Sequence, residues 1–167
     1  MTSGRFLFTL NLCPWSVVYC VAGVRILMKI YFSGSISGGR AHEAIYRHLV
    51  AHLQAQGHDV LSAHVADPVA LEAEKDLPPR KVFERDTSWV KECEAMIAEV
   101  STPSLGVGYE YALAVQLGKP VLCVYRSGVR MSKMITGNPA PNLTVAAYSV
   151  EAELDEQVDV FLKNLTG

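Results

Sequence analysis

What the chain has little of narrows its function first. Only 19% of its residues are charged, and the two signs nearly cancel, leaving a net charge of −2. No basic stripe runs through it, so extended nucleic-acid binding has no electrostatic support. Cysteine is sparse: Cys13, Cys20, Cys93 and Cys123 form no Cys-x-x-Cys pair and take no metal-ligand spacing with histidine. Zinc is therefore not expected. Cys93 and Cys123 lie in apolar surroundings and read as buried thiols of a reducing compartment. The pattern Gly-x-Gly-x-x-Gly is absent, and no acidic residue ends the second strand-like run to hold a ribose diol, which disfavours a dinucleotide cofactor. No Gly-Lys-Ser/Thr closes the first glycine-rich loop either, so it is not a P-loop. Internal repeats and low-complexity segments are missing as well.

What is present is enough for one core. The chain has 167 residues, 50% of them hydrophobic, and a single globular domain is the expectation. Residues 1–27 differ from the rest. Phe6 to Val24 is largely apolar between Arg5 and Arg25, interrupted by Asn11, Pro14 and Ser16. A signal peptide and a poor membrane span are both open readings. The favoured one is an upstream extension, with a single α/β domain over residues 28–167 opening at Met28. That gives a cytoplasmic location (nuclear as well in a eukaryote), and secretion if residues 1–27 are a signal peptide.

Strand-like and helix-like stretches alternate from there. Lys29 to Ser33 reads as a strand and runs into the loop Gly34-Ser-Ile-Ser-Gly-Gly39. Arg40 to Gln56 reads as a helix, with Ile45, Leu49, His52 and Leu53 at helical spacing and Gly57 as its stop. Val60 and Leu61 lie in a second strand ending at His64. Asp67-Pro68 looks like a cap before a helical turn, Leu71 to Lys75, in a surface loop beside the site. Val82 to Glu94 reads as a helix offering Phe83, Trp89 and Val90 to the core. Ala95 to Val100 is the third strand, Val121 to Tyr125 the fourth and Leu143 to Tyr148 the fifth. A closing helix carries Leu154, Val158, Phe161, Leu162 and Leu165. The expected architecture is a three-layer, flavodoxin-like (Rossmann-like) α/β fold with a parallel sheet of about five strands in the order 2-1-3-4-5.

Two loops then fall at the C-terminal edge of that sheet, where open α/β folds bind ligands. Gly34 to Gly39 holds three glycines and two serines in six residues and suits a phosphate, although tight strand–helix turns need glycine for geometry alone. Ser101 to Glu110 joins the third strand to a helix running from Tyr111 to Leu117. In it Gly106 and Gly108 allow close backbone approach, and Ser104 offers a hydroxyl. Glu110 is placed on the first turn of that helix. A carboxylate there would repel a phosphate, so it reads either as a group aimed at the adjoining sugar or as a complement to the helix dipole. Asp86 is the acid to pair with it, because two carboxylates about 5 Å apart allow double displacement at an anomeric carbon. Taken alone, Asp86 among Glu84, Arg85 and Lys91 reads as part of a solvated face. His64 reads as a ligand contact or a polar strand terminus. His42, His48, His52 and His58 read as surface residues, and Ser132 as a possible phosphate donor.

Tyr31-Phe-Ser-Gly-Ser-Ile-Ser-Gly-Gly-Arg40 together with Ser104-Leu-Gly-Val-Gly-Tyr-Glu110 resembles the 2′-deoxynucleoside 5′-monophosphate N-hydrolases, relatives of the nucleoside 2-deoxyribosyltransferases. The resemblance runs from Met28 to about Leu165. It implies cleavage of the N-glycosidic bond of a deoxynucleoside monophosphate to deoxyribose 5-phosphate and free base, with no metal or organic cofactor. It puts the nucleophile on Glu110, the leaving-base aspartate on Asp86 and the first-strand tyrosine on Tyr31. Phosphate contacts fall on Gly34, Ser35, Ile36, Ser37 and Gly38, on Ser104 with Gly106, and on Ser132; the histidine falls on His64. It also implies a homodimer in which Ser132 reaches the neighbouring site. Animal members carry arginine where this chain has Ser37, and Arg40 is close enough in sequence to substitute. In this reading the helix N-terminus keeps Glu110 ionised for attack, and Asp86 carries or shares a proton. A deoxyribosyltransferase acting on unphosphorylated nucleosides and a non-catalytic nucleotide sensor are the competing functions. The phosphate-suited loops oppose the first, and the pair of acids opposes the second.

Overall fold

The computed structural model describes residues 27–39 and 41–166. Residues 1–26 of the extension expected over 1–27, and the proposed cation Arg40, lie outside the described residues. Five parallel strands form one sheet: β1 (Lys29–Ser33), β2 (Asp59–Val60), β3 (Ala95–Glu99), β4 (Val121–Arg126) and β5 (Leu143–Tyr148), in the order β2-β1-β3-β4-β5. Among the described residues six α-helices accompany them: α1 (Glu43–Ala55), α2 (Ala70–Glu74), α3 (Pro79–Glu92), α4 (Leu105–Gln116), α5 (Lys133–Thr136) and, after β5, α6 (Glu151–Thr166). The strand order and the three layers agree with the sequence reading. Among the described residues no helix is long and apolar enough to cross a membrane.

Strand side chains alternate between the two faces of a sheet, and that alternation divides the core. Ile30, Phe32, Ile97, Leu122 and Val124 point to one face and pack under α1 and α6, which contribute Leu49, Leu53, Leu154 and Val158. Tyr31, Met96, Ala98, Val121 and Cys123 point to the other face, under α3 and α4, which contribute Val90, Val107, Tyr111 and Ala114. Each fully buried aliphatic side chain contributes about 1.5–3 kcal/mol relative to exposure. Tyr31 and Ser33, two residues apart, therefore both look toward α3 and α4. Glu99 continues the opposite face and is fully buried, accepting hydrogen bonds from Ser101 and, at 3.0 Å, from the Tyr148 hydroxyl. Burial holds its carboxyl above the ordinary range, against those two bonds.

The first and last helices are tied to each other at their exposed margin as well as in the core. His48 Nε2 lies 2.7 Å from Asp155 Oδ1, and His52 Nε2 lies 2.7 Å from Asp159 Oδ1. These two histidines, read as surface residues, are in fact half-buried between α1 and α6.

Several boundaries differ from the sequence reading. Strand β2 is only two residues long, and its continuation turns into a 3-10 helix, Ala63–Ala66, so His64 sits on that turn and not at a strand end. Asp67 accepts the Val69 N–H at 2.9 Å and caps a turn, with α2 starting at Ala70. Helix α3 begins a turn earlier than expected, because Pro79 takes the first helical position, where its missing N–H costs nothing. Phe83 is 53% exposed and packs on Tyr109 outside the core, ring centroids 5.9 Å apart. Leu165 lies at the rim of the closing helix. Gly57, with φ of +90°, does end α1 as expected.

Candidate functional site

Helix α4 starts at Leu105, so Gly106, Gly108 and Glu110 are helical and do not belong to a loop. Ser104 is the N-cap, its hydroxyl accepting the Val107 N–H at 3.4 Å. Counting from that cap puts Glu110 in the second turn. The dipole effect falls off within the first turn, so the helix terminus is not what controls this carboxyl. Its neighbours do. The Ser33 hydroxyl donates to Glu110 Oε2 at 2.5 Å, and the Tyr31 hydroxyl also favours the ionised carboxylate. Burial raises the Glu110 pKa above the ordinary value; the Ser33 bond opposes this, and the nearby Asp86 charge adds to the rise. Burial, then the charges of Glu110 and Asp86, likewise hold the Tyr31 hydroxyl firmly protonated. Ser33 was not singled out from sequence, although its spacing of two from Tyr31 on a strand is the signal that puts it on the same face.

Asp86 comes from α3 and is not on a solvated face: its side chain is 16% exposed. Arg85 donates from Nε to Asp86 Oδ1 at 2.8 Å and from Nη2 to Asp86 Oδ2 at 3.2 Å. The same Nη2 reaches Glu74 of α2. His64 Nε2 lies 3.2 Å from Glu74 Oε1, so α2, read from sequence as part of a surface loop, brings an acid to the site. The Trp89 ring completes the group, with the Arg85 guanidinium 5.2 Å from its centroid and the His64 ring 5.6 Å away. Glu110 and Asp86, paired in the sequence reading, come with Tyr31 and His64 to one region at the C-terminal edge of β1. Among the described residues no cluster of three or more histidine, cysteine or acidic side chains is arranged to hold a metal ion.

The first loop is built by close approaches. A Cβ at Gly34 would lie 3.1 Å from the Tyr46 ring, whose hydroxyl accepts the Ser35 N–H at 3.2 Å. A Cβ at Gly38 would lie 2.7 Å from both the Pro103 carbonyl oxygen and Ser35 Oγ, so only glycine lets this loop meet the one before α4. Ser35 is directed inward and fully buried, and its hydroxyl has no hydrogen-bond partner among the described residues. Ile36 packs against the core, which leaves Ser37 and Gly38 as the exposed tip. Gly106 stands opposite: a Cβ there would be 4.0 Å from Glu110 Oε1.

Ser132 is not brought to the carboxylates. It caps α5, accepting the Met134 N–H at 3.3 Å, and lines a cavity of about 560 Å³ against another face of α4. Ser104, Val107, Tyr111, Val115, Met131 and Ile135 line the same cavity. Leu105 and Met134, also on its wall, are 96% and 81% exposed.

Comparison with known proteins follows the same lines. The family model described as nucleoside 2-deoxyribosyltransferase matches residues 30–160. A protein of Methanococcoides burtonii named "Putative 2′-deoxynucleoside 5′-phosphate N-hydrolase 1" is 43% identical over 121 residues, 72% of this chain and 99% of that one. The 5-hydroxymethyl-dUMP N-hydrolase of Rattus norvegicus is 39% identical over 156 residues, 87% of this chain and 94% of that one. Among solved structures, the CMP N-glycosidase of Clostridium botulinum superposes with a TM-score of 0.60 at 21% identity, covering 80% of this chain and 99% of that one, a likeness of fold.

Proposed function

This chain belongs to the nucleoside 2-deoxyribosyltransferase family, and from that premise we propose that it hydrolyses the N-glycosidic bond of 2′-deoxynucleoside 5′-monophosphates, releasing deoxyribose 5-phosphate and free base. The observation that carries the reading is the setting of Glu110: a half-buried carboxylate with one oxygen held by Ser33 and a second acid, Asp86, in electrostatic contact. In this mechanism Oε1, the oxygen not held by Ser33, attacks C1′. The C1′–N bond breaks and its electron pair leaves with the base, which takes its proton from Asp86. Water then attacks C1′ of the glycosyl ester, Asp86 takes its proton, and Glu110 is restored. The 2′-deoxy sugar lacks an electron-withdrawing hydroxyl, which eases its oxocarbenium-like transition state. The 5′-phosphate serves as a remote handle on the exposed Ser37–Gly38 tip and on the Ser104 side of the site, and its binding energy holds C1′ at attack distance.

The second part of the reading is a homodimer. The cavity beside α4 is mainly apolar and flanked by Leu105 and Met134, a surface suited to a second copy of this chain. Ser132, on that wall, would then complete the neighbouring site. Leu105→Asp is expected to shift the protein from dimer to monomer in light scattering coupled to size exclusion, and an unchanged mass would remove this face as the interface. The buried free thiols Cys93 and Cys123 support a cytoplasmic location, which fractionation of the host cell checks.

Chromatography of the products tests the activity. Incubation with each deoxynucleoside monophosphate, its ribo- counterpart and its unphosphorylated nucleoside is expected to release base from the phosphorylated deoxy compounds alone. Glu110→Ala is expected to retain binding and lose turnover. Transfer of the sugar to an added second base at the expense of hydrolysis would make the chain a transferase, and release from no substrate would leave a nucleotide-binding module.

A further inference from the structure

We propose that Arg85 is a positioning residue for Asp86, fixed in that role by Glu74 and Trp89, so that α2 forms part of the working site. The inference rests on the reading of Asp86 given above, while its geometric part stands apart from it.

Residues i and i+1 of a helix do not face each other; their side chains leave the axis about 100° apart. Arg85 nevertheless turns to its immediate neighbour and takes both oxygens of Asp86, at 2.8 and 3.2 Å. An isolated helix gives no reason for that turn, and here two contacts supply one. Trp89, one turn on, lays its ring under the guanidinium at 5.2 Å. Glu74, from a different element, accepts from Nη2, the nitrogen that also serves Asp86 Oδ2. Nη2 has two hydrogens, and each carboxylate takes one. The same Glu74 oxygen, Oε1, also lies 3.2 Å from His64 Nε2. The side chains of Arg85, Asp86 and Glu74 are 25%, 16% and 18% exposed, so water does not substitute freely for any of these partners. A planar fork is required to serve both carboxylates at once; an ammonium is a point charge and serves one of them well.

The arrangement also sets the charge around the nucleophile. Glu74 and Asp86 both push the Glu110 carboxyl toward its neutral form, and Arg85 stands between those two acids. Removing Glu74's charge and removing Arg85's charge should therefore move Glu110 in opposite directions, which a residue acting only in folding would not do. Ser33 and Tyr31 of β1 lower the Glu110 pKa, and Asp86 of α3 and Glu74 of α2 raise it; Arg85 is paired with both of those acids.

The test is a double-mutant cycle read as a pH profile, on the full chain. Arg85→Gln is expected to lower kcat about 10- to 100-fold, the scale of a misplaced reacting group, with a smaller change in KM. The acid limb of kcat/KM should move to higher pH in Arg85→Gln and to lower pH in Glu74→Gln. In an Asp86→Asn background, Arg85→Gln should cost less than about 2-fold more, because the residue it positions is already gone. Full, independent losses in that background, an effect confined to KM, or limbs moving the same way in both variants would overturn the proposal. If Arg85→Gln does not fold, as judged by its circular dichroism, Arg85→Lys carries the kcat part of the cycle; because it keeps the charge, its acid limb is expected to stay in place. Should the wild type release no base, the catalytic reading fails on its own. The nitrogen-15 resonance of Arg85 Nε then decides the geometry: exchange protection that is lost in Glu74→Gln supports the clamp, and free exchange in the wild type refutes it.

Discussion

At the scale of single residues, the controlling fact is that Glu110 is half-buried among hydroxyls and acids and is not stabilised by a helix terminus. The reaction needs its ionised form, while burial favours the protonated one. The acid limb of kcat/KM is accordingly expected above the ordinary carboxylate range. Ser33→Ala removes the donor that opposes the shift. It should move the limb further up and lower kcat/KM by roughly 10- to 100-fold near neutrality, since a hydrogen bond to a charged group contributes about 1.5–3 kcal/mol. Glu110→Gln is expected to abolish turnover and raise the melting temperature by about 2–4 °C at neutral pH, as relief of an unfavourable active-site group commonly does. The sign follows from linkage: a carboxyl raised in the folded state favours folding below its unfolded pKa, and that contribution is lost as pH rises through the folded value. The advantage of Gln should therefore shrink in acid. At this scale the sequence was partly legible. Glu110 came from its place beside a glycine-rich stretch at the sheet edge, and Asp86 and Tyr31 from motif resemblance, whereas Ser33 and Glu74 went unnoticed, because a serine ending a strand and a glutamate in a short polar turn have no signature until the fold supplies their neighbours.

Secondary-structure elements show where local patterns failed. Two glycines in three residues read as loop because each costs a helix about 1 kcal/mol, yet α4 begins at Leu105. The Ser104 cap and the burial of Val107 and Tyr111 offset that cost. Phe83 read as core because apolar residues at helical spacing signal a buried face, but α3 turns that position toward Tyr109 at the surface. The loop after β1 behaved differently: its glycines are required by contact. Gly38→Ala would drive a methyl group to 2.7 Å from the Pro103 carbonyl and separate the two phosphate-side loops. The expected result is a raised KM for phosphorylated substrate with a smaller change in kcat, measured by the same release of base.

On the scale of the whole molecule, strand order and layering were fully legible, since long apolar runs alternating with helical patterns leave few parallel topologies. The balance of charge between the folded and unfolded chain was not, because it depends on which acids are buried. Glu99 and Glu110 lie on opposite faces of the sheet, and burial raises both. Over the interval from the ordinary glutamate pKa up to their raised values, the folded protein holds more protons than the unfolded chain from these two sites. Their joint contribution to stability should decline as pH rises through that interval, opposite to the usual trend for paired carboxylates. Urea melts of the wild type against a Glu99→Gln, Glu110→Gln double variant check this: the gap between them should widen with pH.

The union of α1 with α6 has a consequence for how the protein comes into being. Leu49 and Leu53 of the first helix are covered by Leu154 and Val158 of the last, and His48 and His52 meet Asp155 and Asp159 across the same seam. A nascent chain on the ribosome reaches residue 150 with its sheet sequence complete and one greasy flank still bare. Until the final 16-residue helix clears the exit tunnel, that flank is open to chaperones, and to neighbouring chains on the same messenger. A premature stop ahead of Glu151 would therefore deliver an aggregating product with every proposed catalytic residue intact.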